Sequence, residues 1–331
     1  MSQWVYPAGT TADAEFDTRV VPRPSSSSGS EKDGSGSEKG GSGPSSSSGS
    51  EDGGSGPLSG SGSIDGWAHT GLLVTNLAAG ESRTVETGGL EYIVVPLSGG
   101  ASVEVGDTTY ELAGRPDVFS AASDVLYVPR DASFTITSTD GGRYALCSAT
   151  AHRTLPVSYV PARDVPDELR GAGTASRRVR NFGTPGVLDA DSIIACEVIT
   201  PAGNWSSYPP HKHDEEREGV ETSLEEIYYF ELRTEPGAPA DGSAFGYQRV
   251  YGTAERPIDV LAEVRSGDVV LVPHGWHGPA MAPPGYDMYY LNVMAGPGQT
   301  RAWLICDDPA HAWVRQTWAA QAVDPRLTTT E

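Results

Sequence analysis

Short apolar runs separated by turn residues fill most of the chain, and they determine the predicted fold. Between Trp67 and His152 the runs are rich in β-branched and aromatic residues, as in LEYIVVPLSGG and SDVLYVPRD. A second block of the same kind begins at Ile193 and includes LEEIYYFEL and VVLVPHG. Such runs, bounded by Gly, Asp and Ser, are typical of antiparallel sandwiches and barrels. We therefore predict an all-β protein built from two tandem barrels.

The two blocks also resemble each other in outline. LEYIVVPLSGG aligns with LEEIYYFEL, and SDVLYVPRD aligns with GDVVLVPHG. A weak repeat of this kind indicates an internal duplication. Helical periodicity is scarce. Only 307–321, with an Asp at its start and Pro309 near its first turn, predicts a helix.

Composition divides the chain into five segments. One of them is a Ser/Gly-rich insertion with 12 Gly, 17 Ser and no aromatic residue, which cannot bury enough apolar surface to offset the entropy of ordering it. We expect it to be disordered. The predicted segments are an N-terminal segment at 1–23, the insertion at 24–63, a first barrel at 64–160, a polar connector at 161–192 and a second barrel with the C-terminal helix at 193–331.

Charge narrows the classes of function. The chain carries 23 Lys and Arg against 44 Asp and Glu, a formal net charge of −21, which disfavours nucleic acid as a partner. No apolar run is long enough to cross a bilayer, and the first residues lack the pattern of a signal peptide. The cysteines (Cys147, Cys196 and Cys306) are far apart and fit reduced thiols. We expect a cytoplasmic protein without membrane contact.

Four of the seven histidines lie in the second block. His211 and His213 form an H-x-H pair, and alternate residues of a strand point to the same face, so both rings can reach one ion. His277 follows a strand and a Pro/Gly turn in GDVVLVPHGWH. A carboxylate comes from EEIYYF, where Glu225 and Glu226 face opposite sides of their strand. We favour Glu226 as the ligand because it shares a face with the more apolar residues.

Three imidazoles and one carboxylate form a mixed nitrogen and oxygen ligand set. Such a set suits Zn²⁺, Mn²⁺, Fe²⁺ or Ni²⁺ and leaves positions open for a substrate. We therefore predict a divalent metal cofactor, with zinc favoured and manganese or iron as alternatives. A structural zinc site would more often use thiolates.

These motifs resemble the two motifs of the cupin superfamily. The matching residues are the H-x-H pair, Glu226, and Gly267 through Pro273 and Gly275 to His277. The chain departs from the pattern in two places. Twelve residues separate His213 from Glu226 where three or four are usual, and one residue fewer separates Gly275 from His277. The longer spacing leaves the choice between Glu225 and Glu226 open.

The wider text resembles the 5-deoxy-glucuronate isomerase family of myo-inositol catabolism. The resemblance spans most of 67–327 and rests on YPPHKHD, LEEIYYF, QRVYG, VLVPHGWHGPAMAPPGYDMYYLNVMAGP, RAWLICDDPAHAWVR and DPRL. It implies a bicupin fold and an aldose–ketose isomerisation of 5-deoxy-D-glucuronate to 5-dehydro-2-deoxy-D-gluconate. The related keto-uronate isomerases are similar zinc bicupins, and that relation also favours zinc.

An isomerisation of this kind needs a metal to stabilise an enediolate and a group that moves the proton between two carbons. The candidates for proton transfer are Glu225, Tyr289, Tyr290 and His274. The carboxylate of a sugar acid also requires a cationic partner, and the basic segment ASRRVRN stands out in so acidic a chain. The candidates for this contact are Arg249, Arg177, Arg178, Arg180 and Lys212, although Lys212 alternates onto the strand face opposite the two histidines.

The first barrel lacks counterparts of the proposed ligand histidines. Glu91 stands in the carboxylate position, but no H-x-H precedes it, and Ser133 stands near the place of a ligand histidine. We expect this barrel to bind no metal and to brace the second barrel or to form the contact of a homo-oligomer.

Two other classes of function stay open at this point. One is an iron-dependent cupin dioxygenase, which oxygen consumption would reveal. The other is a non-catalytic bicupin that binds a sugar acid, in which loss of Glu226 or His277 would lower affinity alone.

Overall fold

The computed structural model describes residues 2–22, 64, 66–239, 242–298 and 300–328. The predicted insertion at 24–63 lies outside the described residues. Strands dominate the rest, and the predicted all-β fold of two barrels is confirmed. Within the described ranges, no helix has the length and apolar character needed to cross a membrane.

The first ten strands include all those of the N-terminal barrel. They are β1 (Val5–Tyr6), β2 (Thr18–Val20), β3 (Thr70–Leu77), β4 (Ser82–Glu86), β5 (Leu90–Val105), β6 (Thr108–Arg115), β7 (Val125–Val128), β8 (Ser133–Ser138), β9 (Gly142–Thr150) and β10 (Ser158–Val160). Strands β2 to β10 form one sheet, whose main path is β10-β7-β5-β9-β3-β2. The 16-residue strand β5 also pairs with β6 and β8, so it joins the two faces of this barrel.

Twelve further strands build most of the C-terminal barrel. They are β11 (Asp167–Arg170), β12 (Arg177–Gly183), β13 (Ile194–Thr200), β14 (Trp205–Ser206), β15 (His211–Lys212), β16 (Glu225–Thr234), β17 (Gly246–Tyr251), β18 (Asp259–Val264), β19 (Val269–Val272), β20 (Trp276–Met281), β21 (Tyr286–Ala295) and β22 (Cys306–Asp307). A seven-stranded sheet has the order β1-β19-β16-β21-β13-β12-β11. A six-stranded sheet has the order β18-β17-β20-β15-β22, with β14 beside β20.

The segment expected to be a connector, 161–192, is instead part of a sheet. Its strands β11 and β12 pair with each other, and β12 pairs with β13. The basic side chains of β12 made this segment look like a polar connector. They are compatible with a strand in the sheet because two of them have acidic partners. Arg178 lies 2.5 Å from Asp167, and Arg180 lies 3.0 Å from Glu197.

The predicted C-terminal helix exists but is much shorter than 307–321. It is α1 (Val314–Thr317), continued by a 3₁₀ turn at Trp318–Ala320, and further 3₁₀ turns lie at Ala162–Asp164, Gly173–Ala175 and Pro325–Leu327. The reason is that Asp307 belongs to β22, where its backbone lies opposite His211 of the neighbouring strand β15. Sheet pairing therefore takes the first residue of the expected helix.

Apolar side chains form three layers. One fills the N-terminal barrel, with Val94 and Leu146 among its members, and one fills the C-terminal barrel, with Phe230 and Met288. The third lies between the two barrels, where both sheets meet around residues such as Ile227. Strands β16 and β21 are covered on both faces, which explains why they are buried almost throughout.

Two glutamates hold the barrels together by the same contact in opposite directions. Glu225 of β16 accepts backbone hydrogen bonds from Ala68, His69 and Thr70, at 3.1, 2.6 and 2.6 Å, at the start of β3. Glu91 of β5 accepts backbone hydrogen bonds from 191–193, at 2.8, 2.6 and 2.7 Å, at the start of β13. Each barrel thus binds the backbone at the start of one strand of the other barrel through a buried carboxylate.

A buried ionic network crosses the same interface. Glu197 of β13 receives both terminal nitrogens of Arg115, each at 2.7 Å, and one nitrogen of Arg180 at 3.0 Å. Tyr289 donates a further hydrogen bond to Glu197 at 3.0 Å. Removing one partner of a buried ion pair leaves an uncompensated charge, which costs far more than an exposed pair.

The first prediction concerns this network. The substitution Glu197→Gln should lower the free energy of unfolding by about 3–5 kcal/mol, because two arginines lose their buried counter-charge. Chemical denaturation measures the change. The matched control is Glu104→Gln on β5, whose side chain is exposed and whose loss should stay within about 0.5 kcal/mol of the parent. Equal losses for both variants would contradict the assignment.

Candidate metal centre and active site

Three histidines converge inside the C-terminal barrel. His211, His213 and His277 are all buried, and each offers a ring nitrogen within 4.8 Å of those of the other two. The ring centroids of His211 and His277 are 4.4 Å apart, and those of His213 and His277 are 4.6 Å apart. The structure therefore brings together the three histidines that the sequence proposed as ligands.

Local strand geometry produces this convergence. His211 lies on β15 directly opposite His277 on β20, and His213 follows the end of β15. Gly275 forms the turn before β20 at a φ of +92°, and a Cβ there would meet the Tyr251 carbonyl oxygen at 2.8 Å. Only glycine combines that backbone conformation with so close an approach. The turn in VPHGWH thus directs His277 into the barrel.

Glu226 completes the cluster from the opposite sheet. Its Oε2 lies 3.2 Å from His213 Nε2 and 3.1 Å from His277 Nε2. Burial by itself would raise the pKa of Glu226, but the two histidines lower it to about 2. Burial would likewise lower the pKa of His213, yet Glu226 raises it. The centre of the cluster is therefore a position where positive charge is stabilised.

The outer nitrogens of two rings have backbone partners. His213 Nδ1 lies 3.2 Å from the Leu224 carbonyl oxygen, and His277 Nδ1 lies 3.1 Å from that of Gly275. A proton on each Nδ1 leaves the Nε2 lone pair directed at the centre, as in metal-binding histidines. In the described part of the chain, His277 Nε2 is buried and has no hydrogen bond of good geometry. This orphaned nitrogen fits a metal ligand.

His211 is suited to the same role. Burial, followed by the nearby rings of His277 and His213, lowers the pKa of His211 well below its usual value. The ring is therefore neutral near pH 7, which is the form that binds a metal. With Glu226, the donor set is three imidazoles and one carboxylate, which fits a catalytic zinc, manganese or iron site better than a closed thiolate site.

A cavity of about 50 Å³ opens beside the cluster. Its lining includes two of the ligand candidates, two tyrosines and three arginines. These residues, with the rest of the wall, are Arg170, Arg177, Val179, Val198, Ser207, His211, Glu226, Tyr228, Tyr290, Asn292, Trp303, Ile305 and Arg315. Cations and hydrogen-bonding groups facing a metal position are suited to a small oxygen-rich anion.

Of the two glutamates, only Glu226 reaches this cavity. Glu225 was a candidate for proton transfer, and the structure corrects that expectation. Its carboxylate points to the opposite face of β16 and is occupied by the backbone of the N-terminal barrel. His274, a further candidate for the same role, does not line the cavity either.

The two tyrosine candidates likewise point to opposite faces of their strand, β21. Tyr290 lines the cavity, where its hydroxyl lies 3.4 Å from Ser207 Oγ. Tyr289 faces the layer between the barrels and donates its hydroxyl to Glu197, so its proposed catalytic role is corrected. Ser207 Oγ also lies 2.9 Å from the hydroxyl of Tyr228, which joins both tyrosines in one hydrogen-bonded chain.

Arg249, Arg178 and Lys212, which are candidates for the cationic contact, lie outside the cavity lining. Arg249 is on the outer face of β17 and pairs with Asp259. Arg178 hydrogen-bonds to Asp167 and to the Leu327 carbonyl. Lys212 is engaged with the loop after His213, with Nζ 2.6 Å from Asp214 and 2.8 Å from Glu221. All three already have acidic partners, so these expectations are corrected.

Sequence reasoning missed several residues of the cavity. Tyr228 and Asn292 were detectable, because each lies two positions from a proposed site residue on the same strand face. Arg170 and Arg315 gave no such signal, since β11 was read as connector and α1 as part of a longer helix. Arg177 and Arg178 are both candidates for the cationic contact, and Arg177 is the one that lines the cavity.

Two tandem β-barrels, of which the second encloses three histidines and a glutamate, define a bicupin with a candidate metal site in its C-terminal barrel. The chain belongs to the KduI/IolB family, which it matches over residues 47–314. The family resemblance found in the sequence is therefore confirmed.

Individual relatives support the same assignment. The chain is 42% identical over 253 residues to a protein of Geobacillus kaustophilus named 5-deoxy-glucuronate isomerase, covering 76% of this chain and 87% of the relative. A protein of the same name from Bacillus subtilis is 42% identical over 243 residues, covering 73% and 86%. Among solved structures, an IolB-like protein of Salmonella typhimurium LT2 superposes with a TM-score of 0.69 at 39% identity, covering 75% and 91%.

More distant structures share the fold alone. The oxalate decarboxylase of Lactobacillus farciminis superposes with a TM-score of 0.52 at 12% identity, over 74% of this chain and 80% of that one. The likeness supports the bicupin architecture.

The second prediction tests the metal centre. The substitution His277→Ala should lower the affinity for Zn²⁺ by roughly 100-fold or more, because loss of a direct ligand should exceed the 10- to 100-fold cost of losing a supporting group. Competition with a chromogenic chelator measures the affinity. His274→Ala is the matched control, since this residue is three positions away and outside the cluster, and it should bind Zn²⁺ as tightly as the parent.

Proposed function

We propose that this chain is a 5-deoxy-glucuronate isomerase that converts 5-deoxy-D-glucuronate to 5-dehydro-2-deoxy-D-gluconate in myo-inositol catabolism. The observation that carries the proposal is the buried cluster of His211, His213, His277 and Glu226 beside a cationic cavity. The cluster belongs to a chain 42% identical to relatives of that name. The residues thus supply a metal position and a place for a sugar acid.

The reaction requires no oxidant and no second substrate. The proton on C2 of the aldose moves to C1, and the hydroxyl proton on O2 moves to O1, so that an aldehyde and an alcohol become an alcohol and a ketone. A divalent ion held by the four ligands would stabilise the negative charge that develops on the two oxygens. We infer that the ion is zinc, with manganese or iron as alternatives that a metal analysis of protein purified without chelator would distinguish.

For the transfer of the hydroxyl proton between O2 and O1 of the sugar, we propose Tyr290. It is the member of the original candidate set that lines the cavity, and it is hydrogen-bonded through Ser207 to Tyr228. Burial raises the pKa of Tyr290, so the hydroxyl holds its proton near neutral pH. A protonated phenol can donate to a sugar oxygen as charge develops there, and the chain through Ser207 fixes its orientation.

Other properties expected from the sequence stay predictions. They are a cytoplasmic location, a homo-oligomer, a first barrel without metal, and the lack of a nucleic-acid partner. The sugar acid is the partner that the proposed reaction requires.

The third prediction tests the activity itself. Metal-loaded protein mixed with 5-deoxy-glucuronate should produce a new ketone signal by NMR, without oxygen consumption. Protein treated with a chelator should lose this activity and regain it with added Zn²⁺, Mn²⁺ or Fe²⁺. If none of these metals supports conversion, the proposed function is wrong, and oxygen uptake with iron would indicate a dioxygenase instead.

The fourth prediction uses the neighbouring tyrosines. Tyr290→Phe should lower kcat by about 10²- to 10⁴-fold, the usual contribution of a positioned acid or base. Tyr289→Phe removes an identical hydroxyl one residue away, where it contacts Glu197. It should leave kcat near the parent value while lowering stability by about 1.5–3 kcal/mol, since the lost hydrogen bond is to a charged group. Steady-state kinetics and thermal unfolding measure the two effects. Equal kcat values in the two variants would exclude Tyr290 from proton transfer.

A further inference from the structure

Three arginines line the cavity beside the histidine cluster, but they differ in how their charges are balanced. Arg170 lies 2.8 Å from Glu168. Arg315 forms a two-pronged ion pair with Asp307. Arg170 and Arg315 therefore already have carboxylate partners, and the counter-ion that each needs is part of the protein.

Arg177 is the exception. Its side chain is only about a tenth exposed, and among the described residues no carboxylate lies within ion-pair distance of it. Its guanidinium donates to the Ala175 carbonyl at 3.2 Å and lies 5.8 Å from the centroid of the Trp318 ring. Burial lowers the pKa of Arg177 to about 10, with help from the charges of Arg170 and Arg315 and against the opposing effects of Tyr290 and Glu168. The environment therefore disfavours the cation that the residue carries.

A buried arginine without a counter-charge is costly, and exchange for a well-packed apolar residue is often neutral or stabilising. Arg177, which has no carboxylate partner among the described residues, lies at the wall of a cavity rather than within packed protein. A ligand anion entering the cavity would provide the missing counter-charge. The planar fork of a guanidinium matches the two oxygens of a carboxylate, so a carboxylate satisfies it best.

We propose that Arg177 binds the carboxylate of the sugar acid and selects uronates over neutral aldoses. The inference rests on the proposed function for the identity of the sugar, and it deepens that function by assigning the specificity of the cavity to one side chain. The carbonyl end of the sugar then faces the histidine cluster, and the acid end faces Arg177. The alternation of β12 explains the selection, since Arg177 and Val179 line the cavity while Arg178 faces away.

Binding provides a test that does not depend on turnover. Zinc-loaded protein is titrated calorimetrically with D-glucuronate and with its uncharged methyl ester. The parent should bind the acid at least 10-fold more tightly than the ester, since the ester cannot form the charge-assisted contact with the guanidinium. Arg177→Met should abolish this preference, and Arg177→Lys should restore part of it. The matched control, Arg178→Met, should keep the preference of the parent.

Stability separates a binding role from a structural one. Arg177→Met should unfold at a denaturant concentration equal to or above that of the parent, because it removes an uncompensated buried charge. A lower midpoint together with an unchanged preference for the acid would overturn the proposal, and so would a parent that binds acid and ester equally. In the NMR assay, the same variant should raise KM far more than it lowers kcat.

The proposed isomerase activity can fail separately. If the parent discriminates acid from ester through Arg177 but produces no ketone, the carboxylate contact stands and the reaction does not. If the parent isomerises and Arg177→Met has the KM of the parent, the reaction stands and the contact does not.

Discussion

The side-chain alternation of β16 is the constraint on which the site and its placement depend. Glu225 and Glu226 are adjacent, so their carboxylates point to opposite faces of one strand. The first binds the backbone at the start of β3 in the N-terminal barrel, and the second meets two histidines in the C-terminal barrel. Strand β16 thus fixes the position of Glu226, the proposed metal ligand, relative to the N-terminal barrel. A slip by one residue would exchange both roles and destroy both contacts.

The two barrels share this structural contact at aligned positions, and the cluster of three histidines lies in the C-terminal barrel. In the aligned text LEYI and LEEI, Glu91 corresponds to Glu225, and both bind three backbone N–H groups of the opposite barrel. Tyr92 then occupies the place of Glu226. The sequence places Glu91 at the carboxylate position of the first barrel. In the structure it is the second half of a reciprocal contact, because a buried carboxylate needs several donors, and the start of each partner strand supplies them.

The sequence was sufficient for the fold, the family and the convergence of the histidines, because H-x-H on a strand and a glycine turn before His277 leave little geometric freedom. It was insufficient wherever a polar residue could lie on either face of a strand. Arg177 and Arg178, like Tyr289 and Tyr290, are adjacent and chemically identical, and the pattern of their own strand does not say which face borders a cavity. That depends on the element packed against the strand, which only the tertiary structure supplies.

The electrostatics of the cavity follow from the same separation of faces. On the face toward the N-terminal barrel, Glu197 balances Arg115 and Arg180 within the protein, so this network is complete and serves stability. On the face toward the cavity, Glu226 is held beside histidines, and no carboxylate of the described residues pairs with Arg177. A chain with a net charge of −21 has many acidic side chains that could have neutralised this arginine. Among the described residues, none of them pairs with Arg177, which suits a site that binds an anion. A counter-charge supplied by the protein itself would compete with the bound anion and lower its affinity.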